Sequence, residues 1–120
     1  MSDIDLAVTR SRRLEQMLER DFGASGRGLH EKTSSVEGRL PDQVVRRLRL
    51  VATVRNKVVH EEGPMDDRRR FVESADEAER ELKRLARGRK PGRRVIALVL
   101  AVFLLAAIAA VAWWFLFRGG

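Results

Sequence analysis

Three polar residues near the middle of the sequence have side chains that can bind a phosphate group and move a proton: Arg55, Asn56 and His60. A guanidinium holds a phosphate through paired hydrogen bonds, and an imidazole gains or loses its proton near neutral pH. The three residues interrupt the apolar stretch LRLVATVRNKVVHEEG, which runs from Leu48 to Gly63. Local conflicts of this kind tend to fall at functional positions, and we therefore treat these residues as candidate site residues.

The spacing of the apolar residues predicts a helix that places Arg55 near the middle of its core-facing stripe. Asn56 and His60 are four residues apart and fall together at one edge of that stripe. Burying an arginine is costly unless its charge is paired or used. Two interpretations are open: Arg55 binds a ligand, or it forms a structural ion pair with Glu31 or another carboxylate of the second helix while His60 caps the third helix.

Most of the net positive charge of the chain lies outside the region that contains these three residues. The 120 residues have a net charge of +7, but residues 1–86 contain 18 basic and 17 acidic side chains, a net charge of +1. The overall charge is therefore no argument for nucleic-acid binding by this region. The chain has no cysteine, and its two histidines lack zinc-ligand spacing. We expect no metal and no cofactor.

Residues 95–117 form an uncharged apolar segment that predicts a transmembrane helix. As a helix these 23 residues span about 34 Å, which is enough for a hydrocarbon core of about 30 Å. A buried core helix is the alternative, but so small a domain could not cover a helix that is apolar all round. Trp113 and Trp114 lie near the end of the segment, where indole rings favour the membrane interface.

The charges flanking this segment predict its orientation. Five basic residues precede it, Arg87, Arg89, Lys90, Arg93 and Arg94, whereas only Arg118 follows it. Under the positive-inside rule the N-terminal domain lies in the cytoplasm and Gly120 on the far side. We therefore expect a tail-anchored, single-pass protein of the cytoplasmic membrane.

The remaining sequence predicts four helices and no strand. The first covers residues from about 3 to 22, and the loop GASGRG, residues 23–28, ends it as a helix-breaking turn that lacks the features of a phosphate-binding loop. A short second helix runs to Leu40, a third has Pro41 in its first turn and runs to about His60, and Pro64 can start a fourth. The fold class is all-α, a small four-helix bundle followed by one transmembrane helix.

This pattern divides the chain into a cytoplasmic helical domain (residues 1–86), a basic juxtamembrane linker (87–94), the transmembrane helix (95–117) and a short tail (118–120). The domain has a thin core, and small domains often gain stability by dimerising. Leu50 and Val54 lie four residues apart off the main stripe of the third helix. They either extend a partner surface or are scattered exposed apolar residues, which are common.

The motif RNKVVH resembles the signature of the HEPN superfamily, an arginine and a histidine separated by four to six residues, often with a polar residue directly after the arginine. Residues 25–62 also resemble a bacterial HEPN-related domain of unknown function. In that group a short helix, a Leu-Pro pair and a helix ending in Arg-Asn-x-x-x-His recur in this order, which matches Leu40, Pro41 and the motif here.

The resemblance implies an all-α homodimer in which two motifs face each other across a cleft. In active members this cleft is a metal-independent endoribonuclease, for which the 2′-hydroxyl of RNA supplies the nucleophile. Carried over by position, Arg55 stabilises charge on the phosphate, His60 acts as acid or base, and Asn56 positions the backbone or the imidazole. The implied function is RNA cleavage or binding of the toxin or defence type, with an antitoxin or other protein as partner. The alternative is a non-catalytic dimerising module that recruits a protein partner to the membrane.

Overall fold

The computed structural model of the chain describes residues 2–61, 63–89 and 93–118, and within these ranges it is all-α, without strands. The helices are α1 (Asp3–Phe22), α2 (Leu29–Val36), α3 (Asp42–Glu61), α4 (Arg68–Arg89) and α5 (Arg93–Arg118). The chain divides into two units, residues 1–87 and residues 88–120. The predicted fold class, all-α with an apolar C-terminal helix, is confirmed, whereas membership of the HEPN superfamily stays a prediction.

The bounds of α1 follow from capping groups at both ends. The side chain of Ser2 accepts a hydrogen bond from the backbone N–H of Asp5, 3.2 Å away. Gly23 ends the helix in the left-handed conformation, with φ of 67°, and its N–H donates to the carbonyl of Glu19. The predicted first helix, from about residue 3 to residue 22, is therefore confirmed.

The second helix is shorter than the sequence predicted. α2 ends at Val36, and a single 3₁₀ turn, Glu37–Arg39, leads to Leu40. Leu40 has an extended backbone, with φ of −114° and ψ of 145°, although its side chain is buried. The physical reason is Pro41, because a proline disfavours the helical conformation of the residue before it.

The sequence indicated that Pro64 can start the fourth helix, but α4 begins four residues later at Arg68. Asp67 provides the N-terminal cap, and its side chain accepts a hydrogen bond from the backbone N–H of Arg70 at 3.0 Å. A proline is compatible with a helix start, but the capping carboxylate determines where this helix begins.

The four helices before α5 contribute side chains to one hydrophobic core. Each helix presents apolar residues at spacings of three and four, so that one stripe of each faces inward. The largest side chains with almost no exposed surface are Leu14, Leu18, Thr33, Val44, Leu48, Val51, Phe71 and Leu82. Thr33 is the polar member of this set, and its hydroxyl donates to the carbonyl of Leu29 at 2.7 Å.

Two nearly buried cations connect α1 to other helices. The guanidinium of Arg10 contacts the carboxylates of Asp76 and Glu79 on α4, with an Nη2 to Oε1 distance of 3.2 Å for the second. The ammonium of Lys32 on α2 lies 2.9 Å from the carboxylate of Glu19 on α1. Pairing makes such burial tolerable, because an isolated charge would lose its hydration without compensation.

α5 is long and apolar enough to cross a membrane over Ile96–Arg118, with a mean hydropathy of 2.8, and the side chains of that span are exposed. These bounds differ from the predicted segment, residues 95–117, by one residue at each end. Trp113 packs on Phe117 with ring centroids 4.6 Å apart, and the guanidinium of Arg118 lies 4.6 Å from the ring of Trp114. The predicted linker, residues 87–94, overlaps the ends of α4 and α5, and residues 90–92 and 119–120 lie outside the described ranges.

Candidate functional site

Arg55 and Asn56 line a polar cavity of about 230 Å³ between α1, α3 and the start of α2. From α1 come Ser11 and Glu15, which are four residues apart and so lie on one face of the helix. Ala52 precedes the two motif residues on the same face of α3. The full lining is Ser11, Glu15, Arg27, Gly28, Leu29, His30, Glu31, Ala52, Arg55 and Asn56. We call this cavity the Arg55 pocket.

The glycine-rich loop forms one wall of the Arg55 pocket, and Gly26 is essential to its shape. Gly26 has φ of 135°, a region that side chains rarely adopt, and a Cβ there would lie 2.5 Å from the Cβ of Glu31. The carboxylate of Glu31 accepts a hydrogen bond from the backbone N–H of Arg27 at 2.7 Å, which closes the loop onto α2. The sequence predicted a turn here, and the structure adds that this turn borders the candidate site.

The guanidinium of Arg55 has a side-chain amide as its partner rather than a carboxylate. Its Nη1 donates to the Oδ1 of Asn56 at 3.1 Å, and the Arg55 side chain is half-buried. Among the residues that the structure describes, no carboxylate lies within ion-pair distance of Arg55. The predicted alternative, a structural ion pair between Arg55 and Glu31, is therefore wrong, because Glu31 is engaged with the loop backbone instead.

His60 lies apart from the other two residues of the motif. It is exposed in the last turn of α3 and does not line the Arg55 pocket. Five residues along a helix turn the direction of the side chain by about 140° relative to Arg55, so the two cannot share one face. The structure therefore brings Arg55 and Asn56 together in the Arg55 pocket, whereas His60, one helical turn beyond Asn56, is exposed and does not line it.

Two half-buried titratable residues in the Arg55 pocket, Glu15 and His30, were not predicted as site residues. Glu15 has no hydrogen-bond or ion-pair partner within the described ranges. The Nε2 of His30 lies 3.4 Å from the hydroxyl of Thr53 on α3, with donor and acceptor roles that depend on the tautomer. The sequence offered one signal, since His30 is one of only two histidines and lies two residues after the glycine-rich loop.

The charges around the Arg55 pocket balance. Arg27 and Arg55 contribute two positive charges, and Glu15 and Glu31 contribute two negative charges. In the described part of the chain, no three histidine or carboxylate side chains form a group that could hold a metal ion. The pocket therefore offers separate cationic and anionic groups to a ligand that has both an acidic group and hydrogen-bond donors.

A second depression, of about 190 Å³, lies between α3 and the start of α4. Its apolar lining includes Leu50 and Val54, the pair that the sequence marked as a possible partner surface, together with Phe71 of α4. At its rim Lys57 pairs with Asp66 at 2.7 Å, and this hydrogen bond raises the pKa of Lys57 above its ordinary value. The depression combines an apolar base with a charged rim.

Comparisons with known proteins do not identify a function, so the function has to be argued from the geometry of the site. No protein-family model matches the sequence, and no curated protein and no solved structure shows a significant match to it.

Proposed function

We propose that the protein is a membrane-anchored RNA-binding module whose helical unit cleaves RNA without a metal ion. The observation that supports this most directly is the environment of the Arg55 guanidinium. Its guanidinium is half-buried in a polar pocket, and among the described residues no carboxylate lies within ion-pair distance of it. A cation held in this way gains most from an anionic ligand, and a guanidinium fits the oxygens of a phosphate.

Asn56 and Arg27 complete the phosphate-binding part of this proposal. The hydrogen bond between Arg55 and Asn56 restricts the orientation of the guanidinium, which lowers the entropic cost of binding a ligand. Arg27 brings a second cation to the same pocket. RNA contains its own nucleophile in the 2′-hydroxyl group, so that phosphate binding and proton transfer are sufficient for cleavage.

The resemblance of the motif to HEPN proteins supports RNA as the phosphate ligand and two paired copies as the active form. His60 lies outside the Arg55 pocket of its own chain. The role that the resemblance implies for His60 therefore requires a second copy that brings its own α3 to the pocket. A thin core in the helical unit is a further argument for such a homodimer.

The location that we propose is the cytoplasmic membrane, with the helical unit in the cytoplasm. The apolar span of α5 supports anchoring, because exposing so many apolar side chains to water is unfavourable. The excess of basic residues before the apolar span supports the orientation. RNA is accessible from that side, and we propose that its cleavage there is of the toxin or defence type, with an antitoxin or other protein partner that restrains the nuclease.

The test compares RNA binding and RNA cleavage by the full chain in detergent micelles. A fluorescently labelled single-stranded RNA of mixed sequence measures cleavage, and its 2′-O-methyl analogue measures binding without cleavage. We expect the wild type to bind and cleave, and Arg55→Ala to lose both activities. Arg46→Ala is the matched control, because Arg46 is an exposed arginine of the same helix without a partner among the described residues. Equal loss in both variants would indicate nonspecific attraction, and an inert wild type would contradict the proposal.

A second candidate function is a non-catalytic module that recruits a protein partner to the membrane. The depression lined by Leu50, Val54 and Phe71 favours it, because an apolar base with a charged rim resembles the anatomy of protein interfaces. Leu50→Asp would then abolish capture of a partner and leave RNA binding at the Arg55 pocket unchanged. Loss of RNA binding in Leu50→Asp, with the fold intact, would contradict this separation of the two surfaces.

A further inference from the structure

The Arg55 pocket contains, within one chain, the two kinds of group that RNA cleavage needs in addition to a phosphate-binding cation. Glu15 supplies a carboxylate and His30 supplies an imidazole. We infer that Glu15 is the general base and His30 the general acid for cleavage of RNA bound at Arg55. This inference rests on the function proposed above, and it assigns proton transfer to residues outside the Arg-Asn-x-x-x-His motif.

Glu15 has the properties of a general base that is ready for a ligand. It is half-buried on α1, lines the same pocket as Arg55, and has no partner within the described ranges. The two opposite charges share the pocket but lie farther apart than ion-pair distance. A gap between a carboxylate and a guanidinium that form no ion pair suits a ligand that places a hydroxyl against the first and a phosphate against the second.

His30 lies at the start of α2 and lines the same pocket as Glu15 of α1. The hydroxyl of Thr53, 3.4 Å from Nε2, restricts the rotation of the imidazole ring. The other ring nitrogen, Nδ1, has no partner among the described residues. A half-buried imidazole with one oriented and one available nitrogen can donate a proton to a leaving group that binds beside it.

The reaction conserves atoms and charge without a further reactant. Glu15 accepts the proton of the 2′-hydroxyl, and the 2′-oxygen forms a bond to the adjacent phosphorus. The bond from phosphorus to the 5′-oxygen breaks, and protonated His30 donates its proton to that oxygen. The products are a cyclic phosphate on one fragment and a free hydroxyl on the other. Arg55 stabilises the negative charge that develops on the phosphate oxygens.

The test uses the full chain in detergent micelles, with the labelled RNA as substrate and the 2′-O-methyl RNA as binding probe. Glu15→Gln and His30→Ala should each slow cleavage by about 100-fold or more, the range for loss of a general acid or base. Both should keep their affinity for 2′-O-methyl RNA, and Glu15→Gln should bind equally or more tightly because a negative charge is removed. Glu61→Gln, an exposed glutamate of α3, is the matched control.

A second substrate separates the two roles from a structural effect. A ribonucleotide p-nitrophenyl phosphodiester has a leaving group that departs without a proton. His30→Ala should therefore cleave it at nearly the wild-type rate, whereas Glu15→Gln should remain slow. Circular dichroism checks the fold, and His30→Gln replaces His30→Ala if the alanine variant unfolds. A general fault in folding would slow both variants on both substrates and would contradict the inference.

The outcomes distinguish this inference from the proposed function. A wild type that cleaves RNA while Glu15→Gln or His30→Ala retains full activity would refute the inference and leave the proposed function intact. The same holds if His60→Ala abolishes cleavage and His30→Ala does not. A wild type that binds RNA without cleaving it would refute the inference and reduce the proposed function to binding. A wild type that does not bind RNA would refute both.

Discussion

Arg55 donates a hydrogen bond from Nη1 to the Oδ1 of its neighbour Asn56 at 3.1 Å, and it forms no ion pair with any carboxylate that the structure describes. Arg10 provides the contrast, since it is a nearly buried arginine that contacts two carboxylates of α4. The guanidinium of Arg10 is held by ion pairs, whereas that of Arg55 is oriented by the neutral amide of Asn56. This difference separates a structural arginine from an arginine available to a ligand, and it determines what each substitution should do to stability.

Arg55→Ala is expected to remain folded, with a loss of about 1 kcal/mol or less in the free energy of unfolding. The substitution strands no charge among the described residues, and it removes one hydrogen bond to Asn56 and some packing of the aliphatic stem. Thermal unfolding of the full chain in detergent, followed by circular dichroism, measures the change. A loss of about 3–5 kcal/mol, as for a broken buried ion pair, would instead mark Arg55 as structural.

Arg10→Ala is expected to cost roughly 3 kcal/mol in the free energy of unfolding, the low end of the range for breaking a buried ion pair. Glu79 is buried and would lose its nearer cation, while Arg13, at 3.5 Å, would still contact it. The double variant Arg10→Ala, Glu79→Ala should recover part of the loss, because it leaves no buried charge unpaired. If the double variant is no more stable than Arg10→Ala, the loss of stability does not come from leaving the Glu79 carboxylate without Arg10.

Asp3→Asn is expected to lower stability at neutral pH and to have little effect in acid. Asp3 accepts a hydrogen bond from the N–H of Met65 at 2.9 Å and contacts Arg68 at 2.7 Å. The hydrogen bond from Met65, with that from Arg68, lowers the pKa of Asp3 below its ordinary value. A lowered pKa stabilises the folded state above about pH 4, and this contribution is lost as the pH falls through the lowered pKa.

Melting temperatures across a pH series test this expectation for Asp3. The difference between the wild type and Asp3→Asn should shrink as the pH falls below about 4. Asp42→Asn is the control, because Asp42 is exposed and has no partner among the described residues. A difference between wild type and Asp3→Asn that stays constant into strong acid would show that the lost contact does not depend on the charge of the carboxylate.

A reporter fused after Gly120 is expected to be active only in the non-cytoplasmic compartment, and one at the N-terminus only in the cytoplasm. The reason is the five basic residues before the apolar span, against Arg118 after it. Residues 1–86 expressed alone should remain in the supernatant when membranes are sedimented. Reversed reporters would overturn the orientation, and sedimentation of residues 1–86 with membranes would show that α5 is not the sole anchor.

Leu50→Cys is expected to form a disulfide between two copies if α3 lies close to a two-fold axis. The chain has no cysteine, so a single introduced thiol reports only contacts between copies. Leu50 is half-exposed on α3, and Thr9→Cys on the exposed face of α1 is the control. Equal cross-linking of both variants would indicate random collision. Absence of cross-linking and a monomer in light scattering would remove the paired cleft that His60 requires.

Much of the fold follows from local patterns in the sequence. The spacing of apolar residues predicts α1, α3 and α4, because a helical stripe must be buried for a helix to be stable in a small domain. The run of uncharged residues from 95 to 117 predicts α5 from its length alone. The exact ends are less predictable, as the start of α4 shows. Pro64 is compatible with a helix start, but the side chain of Asp67 caps the helix three residues later.

The composition of the Arg55 pocket depended on the tertiary structure. The sequence identified Arg55 and Asn56 because they conflict with an apolar stripe on one helix, which is local information. Glu15 and His30 are far from them in the sequence, and no periodicity relates residues on different helices. Packing of α1 against α3, together with the positive φ of Gly26, brings these residues into one cavity. A helical sequence determines which residues share one face, whereas the packing of faces against one another determines which side chains meet.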